Sequence, residues 1–307
     1  SDIGVTGGSF FTPNFISYDF GEISGNINKV DWIHFRSPTS LGLFVLPLLY
    51  LFSKKNKWIK YAGNWQQNFI PFSYKLQRWW LKKNLNNSFV IINGVWKNQA
   101  SHLLSFHNPC LTERELSDAN TIGFKKDFSG LLNICFVGRA GNNKGAAVLL
   151  EALSSFKKIN IFNEVNFIGL EEKDIAINSF SLGTARIKYN GWISRSQLDK
   201  IYAKSHLIIL PTKSEGFPKV IAEASAFGCI LIVTNIEPIN QNVINRKNGI
   251  LLDAPKVENI KKLFLNLEKK DYDLKVISNE AISMSKLFTY NRYLDRIKSE
   301  IIDANIK

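Results

Sequence analysis

The chain has 307 residues, enough for two domains that each bury a core, and its 45% apolar content excludes wholesale disorder. Three cysteines and four scattered histidines exclude a disulfide scaffold and a zinc module, and point to a reducing compartment. The net charge of +13 is concentrated: residues 29–97 hold eleven Lys/Arg against one acid, Asp31, so this half reads either as a solvated face or as attraction to phospholipid, lipid diphosphate or nucleic acid.

Residues 1–30 are rich in Gly, Phe, Asn and Ser, with a short strand signal at 3–5 before Thr6-Gly7-Gly8. The sequence opens on Ser1 and its only methionine is Met284, so the start is expected to be processed, trimmed or partial. An apolar run over 31–35 suits a strand, and 40–52 is long enough for a helix despite Pro47. At about 1.5 Å per residue that helix cannot cross a hydrocarbon core of roughly 30 Å. It reads as a buried helix or as one lying at a membrane surface. Strands are predicted over 58–61, closed by Ala62-Gly63-Asn64, and over 88–92, ended by Asn93-Gly94. A helix over 72–85 carries Trp79-Trp80 between them. Residues 101–106 lead to the turn Asn108-Pro109, and a boundary falls near 123–130.

Beyond the boundary the alternation starts afresh. Strands are predicted over 132–137, 165–168, 187–189, 206–210, 230–233 and 249–252, and helices over 144–156, 194–204 and 218–227. Val148, Leu149, Ala152, Leu153 and Phe156 share a face of the first helix, Ser194 suits the N-cap of the second, and Pro218 the first turn of the third. The last fifty residues read as helices. This pattern predicts an α/β protein with parallel sheets, doubly wound in the second half. The expected division is 1–125, 126–288 and a terminal helix over 289–307 that returns toward the first domain.

Two loops carry the chemistry. Gly138-Arg139-Ala140-Gly141-Asn142-Asn143-Lys144-Gly145 lies between a strand and a helix, at the end of the strand where open α/β sheets bind ligands. Its glycines let the backbone come close, the helix N-terminus offers free N–H groups, and Arg139 and Lys144 add charge, a combination suited to phosphate. It is neither a Walker loop nor a G-x-G-x-x-G turn, and an ordinary basic loop remains the plain alternative. The second loop follows the strand ending at Leu210. Gly216 frees its backbone, Pro218 starts a helix, and Glu215 and Glu223 stand eight residues apart. Helical spacing puts Glu223 at the border of the core face near Val220, awkward in a plain core and useful at a cleft wall.

These segments, with Asn248-Gly249-Ile250-Leu251-Leu252, resemble family 4 of the glycosyltransferases, the group 1 family, over about residues 130–255. Asn108-Pro109 is similar to the family's turn ahead of its interdomain link. The resemblance implies the GT-B fold, two Rossmann-like doubly wound domains facing a cleft. It implies a retaining, metal-independent transfer of a sugar from a nucleotide-diphosphate sugar, UDP- or GDP-linked, to a glycan or lipid-linked acceptor in cell-surface polysaccharide synthesis, without a further cofactor. By the same resemblance Arg139 and Lys144, with Gly138 in their loop, neutralise the leaving diphosphate. Glu215 and the backbone of Gly216, Phe217, Pro218 and Lys219 hold the donor sugar and pyrophosphate. Glu223 accepts from the ribose, and the backbone near Trp192 and Ile193 meets the base.

Where relatives often carry a histidine facing the donor sugar, this chain has Gly63 and Asn64, which become acceptor-side candidates. About thirty residues precede Asp31, fewer than in the family: the first sheet lacks a strand–helix unit, or the sequence is partial. Asp271-Tyr272-Asp273 matches a metal pattern of another glycosyltransferase fold but lies between helical segments, where a solvated turn is expected. His34 and His107 are expected to be structural. The basic residues beside apolar segments, among them Lys54, Lys55, Lys82 and Lys83, give an expectation of a cytoplasmic protein docking reversibly on the anionic inner face of the cell membrane. The competing functions are nucleic-acid binding, for which no recognised motif is present, and a GT-B sugar-nucleotide epimerase, against which the Glu215 to Glu223 run argues.

Overall fold

The computed structural model describes residues 31–67, 70–139, 143–156, 160–171 and 185–305. The strand signal at 3–5 and the loop residues Ala140, Gly141 and Asn142 lie outside them. The first body contains β1 (Trp32–Ser37), α1 (Gly42–Phe52), β2 (Asn56–Tyr61), α2 (Phe72–Lys82), β3 (Phe89–Ile92) and β4 (Leu103–Ser105). Its four strands are parallel in the order β1-β2-β3-β4. Alternation along β2 sends Ile59 and Tyr61 to one face, where they pack with Leu46 of α1 and Leu81 of α2. Trp58 goes to the other face. Leu46, Leu48 and Leu49 of α1 are buried, while Phe44, Tyr50, Leu51 and Phe52 on other sides of the helix are exposed.

The helix α3 (Glu113–Gly123) is absent from the sequence expectation. A capping box opens it: Glu115 N donates to Thr112 Oγ1, and Thr112 N to Glu115 Oε2. Leu116 and Ala119 pack into the core of the second body, so the chain has crossed over ahead of the expected boundary at 125–126. That body comprises β5 (Leu132–Val137), α4 (Ala146–Ser154), β6 (Phe162–Ile168), β7 (Arg186–Tyr189), α5 (Arg195–Lys204), β8 (Leu207–Leu210), α6 (Lys219–Ala226), β9 (Ile230–Thr234), β10 (Gly249–Leu252), α7 (Val257–Glu268) and α8 (Leu274–Ser285). Its parallel sheet runs β10-β9-β8-β5-β6-β7. β8 and β9 are buried along their whole length, which is why they read as unbroken apolar runs. From β5 the order proceeds outward through β6 and β7, and from β8 the opposite way, so the switch point lies between β5 and β8.

Two chain crossings join the bodies and lie side by side. Cys110 N donates to Phe288 O (2.9 Å), and Tyr290 N to Leu111 O (2.9 Å). Helix α9 (Tyr290–Ile297) then returns to the first sheet, where Ile297 and Ile301 pack with Ile91 and Phe106. Phe288 is fully buried and its ring stacks on Phe217 at 4.7 Å and 9°. Phe288→Ala is therefore expected to cost about 3–5 kcal/mol, the range for truncating a buried aromatic ring. Urea denaturation would check this through a lowered midpoint at unchanged slope.

Candidate functional site

The loops after β5 and β8 flank the switch point and are tied together by backbone. Lys213 N donates to Asn143 O (2.9 Å), and Thr212 Oγ1 donates to the same carbonyl (2.9 Å). The approach is tightest at Gly145, the N-cap of α4, which has φ +80°; a Cβ there would overlap the Pro211 carbonyl oxygen. This contact fixes where Lys144 stands, and its ammonium pairs with Glu215 Oε1 across the two loops. Gly138 directly follows β5, its N–H bonded to Ile168 O (2.9 Å) and its carbonyl against Gly169.

Arg139 is exposed and lies over the exposed Trp192 ring, 4.8 Å from its centroid. Ile193, beside it, packs partly into the core, and Ser194 caps α5 through a capping box with Gln197. At the start of α6, Pro218 is the N-cap and contributes no side-chain bond, so the first-turn amides are left without a cap.

Of three further donor candidates, Phe217 and Lys219 are expected to act through their backbone, and only Glu223 is placed differently from the sequence expectation. The Phe217 side chain is a core anchor stacked on Phe288, so only its backbone is available to a ligand. Lys219 is exposed at the first position of α6, and its charge reaches Lys60 of the first body. Glu223 does not stand open at a cleft wall: it is buried, its Oε1 accepts from Arg195 Nη1 (2.7 Å) and its Oε2 from the Tyr202 hydroxyl (3.4 Å). Burial pushes the Glu223 carboxyl up from its ordinary value, and Arg195 opposes that shift. A helix periodicity locates a face but not the partner waiting there, and Arg195 comes from a different helix.

From the first body, Asn64 reaches across. Its Nδ2 donates to Glu237 O (3.1 Å) and Glu215 O (3.4 Å). Gly63 and the Ala62 carbonyl lie opposite Gly216. Asn93, just after β3, points its Nδ2 at Gly216, 3.3 Å from where a Cβ would sit there; the residue is 2% exposed and that nitrogen has no partner among the described residues. Sequence reading took Asn93 only as a strand terminator and missed Arg195. The remaining motifs are structural. Asp273 Oδ1 caps α8 by accepting from Val276 N (3.0 Å), His34 stacks on Trp58, and His107 bonds Asn242 (2.8 Å).

With this geometry in place, residues 121–284 match the family model described as Glycosyl transferases group 1. The chain is 22% identical over 261 residues to an uncharacterized 41.2 kDa protein in the cps region of Klebsiella pneumoniae, covering 76% of this chain and 69% of that one. It is 23% identical over 168 residues to the Campylobacter jejuni N,N'-diacetylbacillosaminyl-diphospho-undecaprenol alpha-1,3-N-acetylgalactosaminyltransferase, covering 52% of this chain and 43% of the enzyme. It spans less than half the length of that and the other curated relatives beyond the Klebsiella protein. Among solved structures it is similar to Anabaena HepE in complex with UDP, with a TM-score of 0.68 at 16% identity over 92% of this chain and 81% of that chain.

Gly145→Ala tests whether the convergence of the two loops depends on the contact with Pro211. The left-handed backbone alone costs a non-glycine residue about 1–3 kcal/mol, and the overlap with Pro211 adds to it. A drop in thermal midpoint is expected together with separation of Lys144 from Glu215, seen as weakened binding of anionic ligands. An unchanged midpoint would count against the contact.

Proposed function

The chain belongs to the group 1 glycosyl transferases and has two Rossmann-like domains in the GT-B arrangement, and we propose that it moves a sugar from a nucleoside-diphosphate sugar to a glycan or lipid-linked acceptor with retention of configuration. The observation that carries this reading is the meeting of Lys144 and Glu215 at the switch point, opposite Asn64 and Asn93 of the first domain. A transferring sugar held there has cations on its leaving-group side and amide groups on its acceptor side.

Departure of the diphosphate builds negative charge, which Lys144, Arg139 and the uncapped amides of α6 would stabilise without reorganising. Glu215 keeps Lys144 in place in the empty site and accepts from a sugar hydroxyl in the loaded one. Arg139 leaves the Trp192 ring for the diphosphate, which uncovers the indole for the base. A carboxylate has about four lone-pair positions, so Glu223 can accept from the ribose while keeping Arg195. The acceptor hydroxyl attacks on the face the diphosphate leaves, and the diphosphate takes its proton; these roles call for no divalent ion. UDP is the first nucleotide to test, since HepE was solved with it, and GDP the second.

Replacing Arg139 or Lys144 with Ala should lower turnover about ten- to a thousandfold, the effect of removing one group that stabilises developing charge. Arg139→Lys should rescue only in part, because an ammonium lacks the guanidinium fork. Nucleoside-diphosphate release in a coupled assay reads both effects, and transfer should persist in EDTA. Full activity in the double variant would overturn the role of this loop.

We further propose that the first domain docks on an anionic bilayer. Helices α1 and α2 pack on one another, and together they expose Phe44, Leu51, Phe52, Phe72 and Trp79. Lys54, Lys75, Lys82 and Lys83 are exposed on and beside the same helices. Apolar rings beside ammonium groups suit the headgroup zone, at about 1 kcal/mol per charge near the surface. No helix among the described residues is long and apolar enough to cross a membrane, and surface docking needs none. Sedimentation with liposomes should require anionic lipid, weaken with salt, and fall in a variant with Lys54, Lys55, Lys82 and Lys83 changed to Glu that still binds nucleotide. Absence of binding at low salt would leave these lysines a solubility role.

A further inference from the structure

Arg36 of β1 stands opposite Lys60 of β2 in parallel register, so both side chains project from the same face of the first sheet, near the strand ends that meet the second domain. The returning helix α9 covers that face. Tyr293 stands over Lys60, with its hydroxyl 3.5 Å from Nζ and its ring centroid 4.7 Å away. Lys60 is only 7% exposed, whereas Arg36 and Lys219 are exposed around it. No carboxylate forms an ion pair with any of the three among the described residues; the other charge-bearing neighbours are His34, held low by burial and by Lys60 and Arg36, and Glu223, on which the Lys219 charge acts but which pairs with Arg195.

An ammonium buried against a phenol, with two further cations nearby, is unfavourable in the free protein. Burial first, then Arg36 and Lys219, pushes Lys60 down to about 8 from 10.5. In the unfolded chain it holds its proton up to the ordinary value. Between those two pH values the unfolded state binds more protons, so stability rises with pH across that window and is depressed below it. A group that lowers stability at neutral pH is expected where function needs it.

We propose that Lys60, Arg36 and Lys219, with the Tyr293 hydroxyl, form an anion site that takes the phosphate or diphosphate group of the acceptor, separate from the donor loop of Arg139 and Lys144. Three cations from three elements match a multiply charged phosphate, and such a ligand supplies the counter-charge that Lys60 lacks. The word acceptor rests on the transferase reading; the anion site itself does not.

The probe is inorganic pyrophosphate, titrated by calorimetry while UDP or GDP saturates the donor loop. The wild type should still bind pyrophosphate, and geranyl diphosphate should displace it. Lys60→Met and Arg36→Gln should each weaken that binding about tenfold or more, equivalent to about 1.4 kcal/mol, with nucleotide affinity unchanged. Lys60→Met should also melt above the wild type at pH 7, so a lost signal cannot be misfolding. Abolition of pyrophosphate binding by the nucleotide, wild-type binding in Lys60→Met, or parallel loss of nucleotide in that variant would each overturn the site. Failure of geranyl diphosphate to compete would overturn the acceptor assignment. If the transferase reading fails, the wild type binds neither nucleotide while the Lys60-dependent pyrophosphate signal persists.

Discussion

Helices α4 and α6 leave the sheet on either side of the reversal between β5 and β8, and the loops that feed them converge only because Gly145 carries no side chain. Its left-handed backbone turns the chain into α4 while its Cα rests against the Pro211 carbonyl. From this contact follow the bonds of Lys213 and Thr212 to Asn143 and the pairing of Lys144 with Glu215. The charges are thus positioned by backbone packing, and the ion pair between them is a consequence of the fold rather than a main support of it. Partly exposed pairs of this kind contribute about 0–1 kcal/mol to stability, so a ligand can take Lys144 from Glu215 at little cost to the fold.

The second loop is anchored from behind. Phe217 lies between Gly216, which faces the first domain, and the buried crossing at Phe288. The link between domains and the floor of the cleft therefore share one aromatic stack. Contacts across the cleft mouth are of another kind: Asn64 to two carbonyls, and the Gln241 side chain to both backbone groups of Val95. Exposed polar bonds of this sort exchange with water at a small net cost, whereas the stack and the paired crossings resist separation. The arrangement favours a cleft that opens at its mouth and stays fixed at its back.

The alternation of strands and helices was legible because apolar runs such as β8 and β9 are buried on both faces, and glycine or proline marks where they stop. The loop positions of Lys144 and Glu215 were legible for the same reason. Strand order was not: nothing local in β5 announces that β8, seventy residues later, is its neighbour. Glu223 shows the same limit at the scale of one side chain. Its place on the helix was foreseeable, but its partner Arg195 belongs to α5 and meets it only through tertiary packing. Phe217 read as part of a ligand loop because its neighbours are, and its stacking partner lies at a distant crossing. Helix α3 had a local signal, the Thr112 and Glu115 capping box, in a short polar segment whose apolar stripe is thin.

The excess positive charge of the first half divides by depth, and the two parts obey different physics. Lys54 just beyond α1 and Lys75, Lys82 and Lys83 on and beside α2 are solvated, so their repulsion is screened within about 8–10 Å in physiological salt and they cost the fold little. Lys60 has lost that solvation beneath Tyr293, and the charges of Arg36 and Lys219 act on it there. Surface charge can accumulate for solubility or for contact with an anionic surface without exact placement. A buried cation depends on its partners, and here the described partners are a ring, a hydroxyl and two like charges. That imbalance distinguishes Lys60 from the surface lysines of the same stretch, although composition counts them alike.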